Sequence, residues 1–337
     1  VVVQTRGEGV EAVHPFVAAV VHGDDVVGRL DAPGLSTLDV TTTWRSASKP
    51  FQLVCALEAL SGGAVLGTPG RVVVDALSLE DLAVGAASHS GEPIHLERVR
   101  SLLARFGRVP SDLRCGAHAP VHTPSADAVL RAGEVFTDLH NNCSGKHSFM
   151  LGACTAQGWP LDYRPVEHPL QVRIRARLEA LCQAQGAFAV DGCGVPTWHM
   201  PVVGLARAWA RLAEAVADDD GAGGVAHLAR VGRAMMAHPE LTSGTDRLDL
   251  LVVRGARVPL AVKIGAQGVF CIAVPSARLG IAIKVLSGSG DALPAAIVHV
   301  LQAALPGVFE PPADWAQLEV RNVVGRVVGR FEVDPRP

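Results

Sequence analysis

Apolar positions fall into three regimes along the chain. Phe16–Val21 and Val26–Leu30 alternate about the polar turn His22–Gly23–Asp24–Asp25, which predicts a β-hairpin. Thr37–Trp44 reads as a further strand. From Phe51 to about Ala237 the apolar spacing becomes helical, and it predicts helices over 51–61, 79–87, 94–105, 147–157, 169–185, 201–217 and 224–237. Gly- and Pro-containing loops separate them. Ala215–Gly224, with Asp218–Asp219–Asp220 and three glycines, reads as a surface loop whose charges are solvated rather than metal-binding. After Gly255, the β-rich runs Val258–Ile264, Val269–Val274 and Leu279–Leu286 form a meander joined by short turns. A helix over Ala292–Ala304 follows, then a tail, Leu318–Val333, able to add strands. Strands at both ends with helices between predict an α/β (α+β) fold: one antiparallel sheet built from both termini, with an inserted helical lobe. The whole chain, 1–337, reads as a single catalytic domain, with a sheet lobe of about 1–45 and 250–337 and a helical lobe of about 46–249.

Composition narrows the classes. A net charge of -3 and a pI near 6.5 give no electrostatic reason to expect nucleic acid or an anionic membrane as partner. No apolar run reaches the length of a bilayer-spanning helix. Seven scattered cysteines, an odd number, together with no charged-then-apolar leader, predict a reducing, cytoplasmic setting. Of thirty basic residues only four are lysines: Lys49, Lys146, Lys263 and Lys284. Arginine holds its proton permanently, so a lysine can mark a place where an amine must give it up.

Three of the four lie in motifs. Ser46 and Lys49 stand one helical turn apart, and Pro50 fits a helix's opening turn, so the pair belongs at a helix start. There the dipole favours developing negative charge, and a neutral lysine can activate a serine: the Ser-x-x-Lys arrangement of serine acyl-transfer enzymes. An N-cap serine beside a solvated first-turn cation is the competing reading. Lys263–Ile264–Gly265 ends the first meander strand and matches the Lys-Thr-Gly element of penicillin-recognising enzymes, in the right chain order after Ser46–Lys49.

Asp138–His147 is the densest polar run. Its Gly145–Lys146 lacks the earlier glycine that a phosphate-binding loop requires. Cys143, together with Cys193 in the Gly/Pro loop Asp191–Pro196, supplies two thiols that could ligate Zn²⁺ with His140 or His147. Ala87–Ser88–His89–Ser90–Gly91–Glu92 is a polar loop in which Ser88 or Ser90 offers a second hydroxyl. Arg247 and Asp249 read as a structural ion pair, with Arg247 also able to hold a substrate carboxylate.

Taken together, Arg45–Pro50, Ala87–Glu92, Asn142–His147, Asp191–Gly194, the His238–Pro239 loop and Lys263–Ala266 resemble the type II L-asparaginase family of the inducible Rhizobium type. The resemblance implies a fold like serine β-lactamases, glutaminases and penicillin-binding proteins, a homodimer, and hydrolysis of L-asparagine to L-aspartate and ammonia. By position it implies Ser46 as nucleophile beside Lys49, and Ser88 with Lys263 as a second Ser–Lys pair. It makes Arg45, His89 and Arg247 substrate-binding, and Cys143, Lys146 and Cys193 ligands of Zn²⁺. Gln267 departs from the family pattern, which has an acidic residue there. The alternatives are a glutaminase, a β-lactamase- or peptidase-like serine hydrolase, or a non-catalytic zinc-binding protein of the same fold.

Overall fold

Alternation at the two ends of the chain is satisfied by one antiparallel sheet covered on both faces. The structure is a computed structural model and describes residues 1–62, 74–218, 224–311, 315 and 318–334. Its strands are β1 (Val2–Arg6), β2 (Gly9–His14), β3 (Phe16–His22), β4 (Asp25–Leu30), β5 (Thr41–Thr43), β6 (Ala187–Val190), β7 (Pro196–Pro201), β8 (Ala261–Gly265), β9 (Val269–Val274), β10 (Leu279–Val285), β11 (Glu319–Arg321) and β12 (Val327–Val333). The helices are α1 (Lys49–Ser61), α2 (Leu79–Gly85), α3 (Pro93–Arg105), α4 (Thr123–Arg131), α5 (Ser144–Gln157), α6 (Pro169–Cys182), α7 (Val202–Asp218), α8 (Gly224–Ala237), α9 (Pro239–Thr242), α10 (Leu248–Gly255) and α11 (Leu293–Ala304).

The main sheet has the order β4-β3-β10-β9-β8, so the predicted hairpin and the predicted meander share one sheet. Side chains alternate between its faces. Val17, Ala19, Val21, Cys271 and Ala282 join the core of the helical lobe, whereas Ala18, Val20, Phe270, Ile272 and Ile283 pack with α11 on the other face. Lys263 pairs with Cys271 and Ile264 with Phe270, which turns Lys263 toward the helical lobe. Helix α7 lies directly on β10: a Cβ at Gly280 would stand 2.1 Å from Ala206 O and from Ala210 N. Central in the helical lobe is α1, where only Glu58 and Ser61 escape burial, as its unbroken apolar run requires.

Several details depart from the sequence reading. Thr37–Trp44 yields only β5, preceded by a 3-10 turn at Thr37–Asp39, and β5 pairs with β7 in a separate small sheet, β5-β7-β6. Residues 2–14 form β1 and β2, which join β12 and β11 in a four-stranded sheet. Helix α4, absent from the sequence reading, has no buried residue. Ala215–Asp218 continue α7 and Gly224 opens α8, while 219–223, the rest of the expected loop, lie outside the described residues. Among the described residues no helix is long and apolar enough to cross a membrane.

Candidate active site

The chain approaches Ser46 through a bend. Trp44 donates its N–H to Trp198 O (3.3 Å), and Arg45 then adopts a left-handed φ of 49°, uncommon for a side chain with a Cβ. An ion pair holds it there: Arg45 Nε lies 2.5 Å from Asp191 Oδ1. Arg45–Ser48 form a 3-10 turn that runs into α1, with Pro50 in the opening turn as its missing N–H demands. Ser46 is half-buried, and its hydroxyl makes no hydrogen bond among the described residues. Edge strand β8 runs close beside this bend. A Cβ at Gly265 would stand 2.8 Å from Trp44 O, so glycine at that position lets the two backbones meet.

Lys49 makes no hydrogen bond to Ser46 among the described residues. Its buried ammonium donates to Ala87 O (2.7 Å), Ser88 Oγ (2.8 Å) and Asn142 O (3.5 Å), the three donors of a charged amine. Ser88, not Ser90, is the hydroxyl that meets Lys49. Ser90 Oγ donates to Glu92 Oε1 (2.5 Å), and Thr245 N–H and Oγ1 hold the same carboxylate, so Ser90 belongs to the wall of the site. His89 is fully buried with both ring nitrogens occupied: Nδ1 accepts the Gly91 N–H (3.2 Å) and Nε2 donates to Ser144 Oγ (2.8 Å). It therefore ties the loop to Ser144.

Lys263 is the second correction. Rather than pairing with Ser88, its amine lies 3.6 Å from Asp249 Oδ1 and 3.4 Å from Ile264 O, drawn to the buried carboxylate at the first turn of α10. Asp249 had been expected to pair with Arg247. Burial pulls the Lys263 amine down to about 8; Asp249 opposes the fall, and the charges of Lys49 and Arg247 add to it. Arg247 precedes α10, and its Nε is buried without a partner. It also lines a cavity of about 470 Å³ with Asp246, Ile264 and Asp291.

The thiols meet where the sequence placed a metal. Lys146 Nζ donates to Cys193 Sγ (3.1 Å), and Cys143 supplies a second sulfur against Cys193. The Cys143 hydrogen bond, against the cost of burial and with the help of Lys146, holds the Cys193 thiol down at about 5. The same hydrogen bond, with burial, pushes Cys143 up to about 12. Burial would lower Lys146, but the two sulfurs and Asp191 outweigh it and raise its pKa. Two sulfurs and an amine thus converge in a buried pocket, a donor set that fits Zn²⁺ once the amine gives up its proton. Neither histidine completes it: among the described residues no group of three or more His, Cys, Asp and Glu side chains converges on a metal position. His140 Nδ1 accepts the Thr137 N–H (3.0 Å), and His147 Nδ1 is bound to Tyr163 Oη (2.7 Å). The fourth lysine, Lys284, lies outside the site and donates to Gln267 O in the β8–β9 turn. Gln267 itself is exposed there.

Asp191 and Asp249 are the two site residues that sequence reasoning missed. Asp191 had a readable signal, a carboxylate two places before a candidate thiol ligand; Asp249 had none beyond its place after Arg247.

Over residues 2–333 the sequence matches the L-asparaginase II family. No curated protein sequence matches it. Among solved structures it is similar to Mglu in its native form at 4.3 M NaCl (18% identity, TM-score 0.38), with 89% of this chain and 63% of that one covered. Mglu in its L-glutamate-binding form aligns over the same shares at 15% identity and a TM-score of 0.38. A β-lactamase from Mycobacterium bovis aligns at 15% identity and a TM-score of 0.37, with 86% of this chain and 94% of that one covered. This chain spans about 63% of the length of the Mglu chain it matches.

Proposed function

Because the chain belongs to the L-asparaginase II family, we propose that it is an amidohydrolase that converts L-asparagine to L-aspartate and ammonia with Ser46 as nucleophile. One observation carries this reading: a serine hydroxyl without a hydrogen bond among the described residues at the mouth of α1, in a site where one buried lysine is bound to Ser88 and burial pulls another down to about 8.

Ser46 Oγ attacks the side-chain carboxamide carbon, and its proton passes to the neutral amine of Lys263. The start of α1 stabilises the oxyanion that forms. Collapse of the tetrahedral intermediate breaks the C–N bond, and the Lys263 ammonium returns the proton to the leaving ammonia. Water, deprotonated in turn by Lys263, then attacks the aspartyl ester, and the Lys263 ammonium returns that proton to Ser46 Oγ as it leaves. Lys49, hydrogen-bonded to Ala87 O and Ser88 Oγ, fixes Ser88 as the second hydroxyl of the site, so the base role expected of Lys49 passes to Lys263. Arg45, held by Asp191, and Arg247 are the cations available to a substrate carboxylate.

Cys143, Lys146 and Cys193 would hold Zn²⁺. With three protein ligands it would keep an open position and supply a fixed positive charge beside the substrate. The family resemblance also implies a homodimer, which the mass of the protein in solution tests.

Ammonia release by Ser46→Ala tests the reading. A loss of about 10³-fold or more in kcat is expected. Near-normal turnover would remove Ser46 from the mechanism.

A further inference from the structure

Asp249 has no part in the resemblance and no role in the steps above, yet it is the acidic group set against Lys263. Its carboxylate is 2% exposed. Oδ1 accepts the Ile264 N–H at 2.7 Å and lies 3.6 Å from Lys263 Nζ, so one oxygen holds both the backbone of the edge strand and the lysine upon it. Oδ2 is buried with no hydrogen-bond partner among the described residues. A carboxylate oxygen left so in a core is costly, and a fold keeps such a group only where its charge is used.

The surroundings of Lys263 show that use. Lys49 faces it from α1 and Arg247 from the turn before α10, both cationic, and Cys143 from the turn before α5. Without an anion, two cations and full burial would push the Lys263 head away from them and leave its orientation unset. Its one other contact is the carbonyl of its neighbour, at 3.4 Å.

We propose that Asp249 is the positioning residue of Lys263: it fixes the amine on the Ser46 side of β8 and sets the pH at which that amine becomes a base. This rests on the reading that Lys263 takes the serine proton. The anion raises the proton affinity that burial lowers, so removing its charge moves the acid limb of activity to lower pH.

Asp249→Asn retains an oxygen for the Ile264 N–H and removes the charge. The pH profile of kcat/KM on L-asparagine is measured for this variant, for the parent and for Asp249→Glu. Expected are an acid limb lower by about one pH unit in Asp249→Asn and a kcat about tenfold lower in Asp249→Glu with little change in KM. Should Asp249→Asn fail to fold, the Glu variant carries the test, and parental kcat in it would overturn the proposal. In parallel, melting temperatures are compared for Lys263→Met and for Lys263→Met/Asp249→Asn. The double variant should melt higher, because it no longer buries an unpaired carboxylate. Rescue of melting temperature with an unmoved acid limb makes the pair structural only and overturns the proposal. If Lys263→Met itself turns over normally, the reading of Lys263 fails and the proposal falls with it; the melting data then show separately whether the pair exists.

Discussion

Lys146 and Lys263 are 2% and 0% exposed, yet their protons are held in opposite ways. Burial alone would strip both. At Lys146 two sulfurs and Asp191 overcome it and the amine stays charged; at Lys263 one carboxylate at 3.6 Å, opposed by Lys49 and Arg247, does not, and the amine falls to about 8. Desolvation sets the cost of the charge, and the nearest counter-charges decide whether it is met. One region is thereby suited to gather a cation, the other to take up a proton.

The sharpest way to break this contrast is to forbid deprotonation. Lys263→Arg keeps a cation that cannot release its proton, and kcat/KM on L-asparagine should fall about 10³-fold. Lys146→Arg keeps the charge beside Cys193, so the protein should remain folded by circular dichroism while stoichiometric zinc is lost by metal analysis.

Metal removal has a smaller expected effect. If zinc is held by three protein ligands, the site is of the open kind. Chelation should therefore raise the apparent KM about tenfold while shifting the melting temperature little, and Cys143→Ser should lose zinc yet stay folded. Unfolding on chelation would make the site structural.

The smallest effect is a pH slope. In the metal-free protein the folded Cys193 loses its proton near 5, whereas an ordinary thiol does so near 9. Between those values the unfolded chain binds one more proton, so this residue's contribution to stability is full above about 9 and is lost as the pH falls through about 5. Urea unfolding of the chelated protein across this window should show a rise with pH that Cys193→Ser flattens. Equal slopes would mean that Cys193 is not a thiolate in the fold.

The local patterns carried much of this arrangement. The hairpin, the meander and eight helices followed from period. Three of the four lysines lie in the motifs from which the candidate site was read. Pairing across the site was illegible, because it depends on which groups the fold brings together over long distances. Lys49 meets Ser88, 39 residues on, and Lys263 meets Asp249 across the turn between α10 and β8. Gln267 looked consequential as a departure from a pattern, but it lies exposed in the β8–β9 turn, where its carbonyl accepts from Lys284. Arg45 read as a substrate cation, while its left-handed backbone and its tie to Asp191 needed the three-dimensional bend to be seen.

The central claim is that Ser46 carries the acyl group. Mixing the enzyme with L-asparagine, quenching in acid and mapping the digested protein by mass spectrometry tests it directly. The account predicts an aspartyl ester on the peptide containing Ser46, absent from Ser46→Ala. An adduct on Ser88 or Cys193, or undiminished turnover with no adduct under conditions that trap the parent, would contradict it.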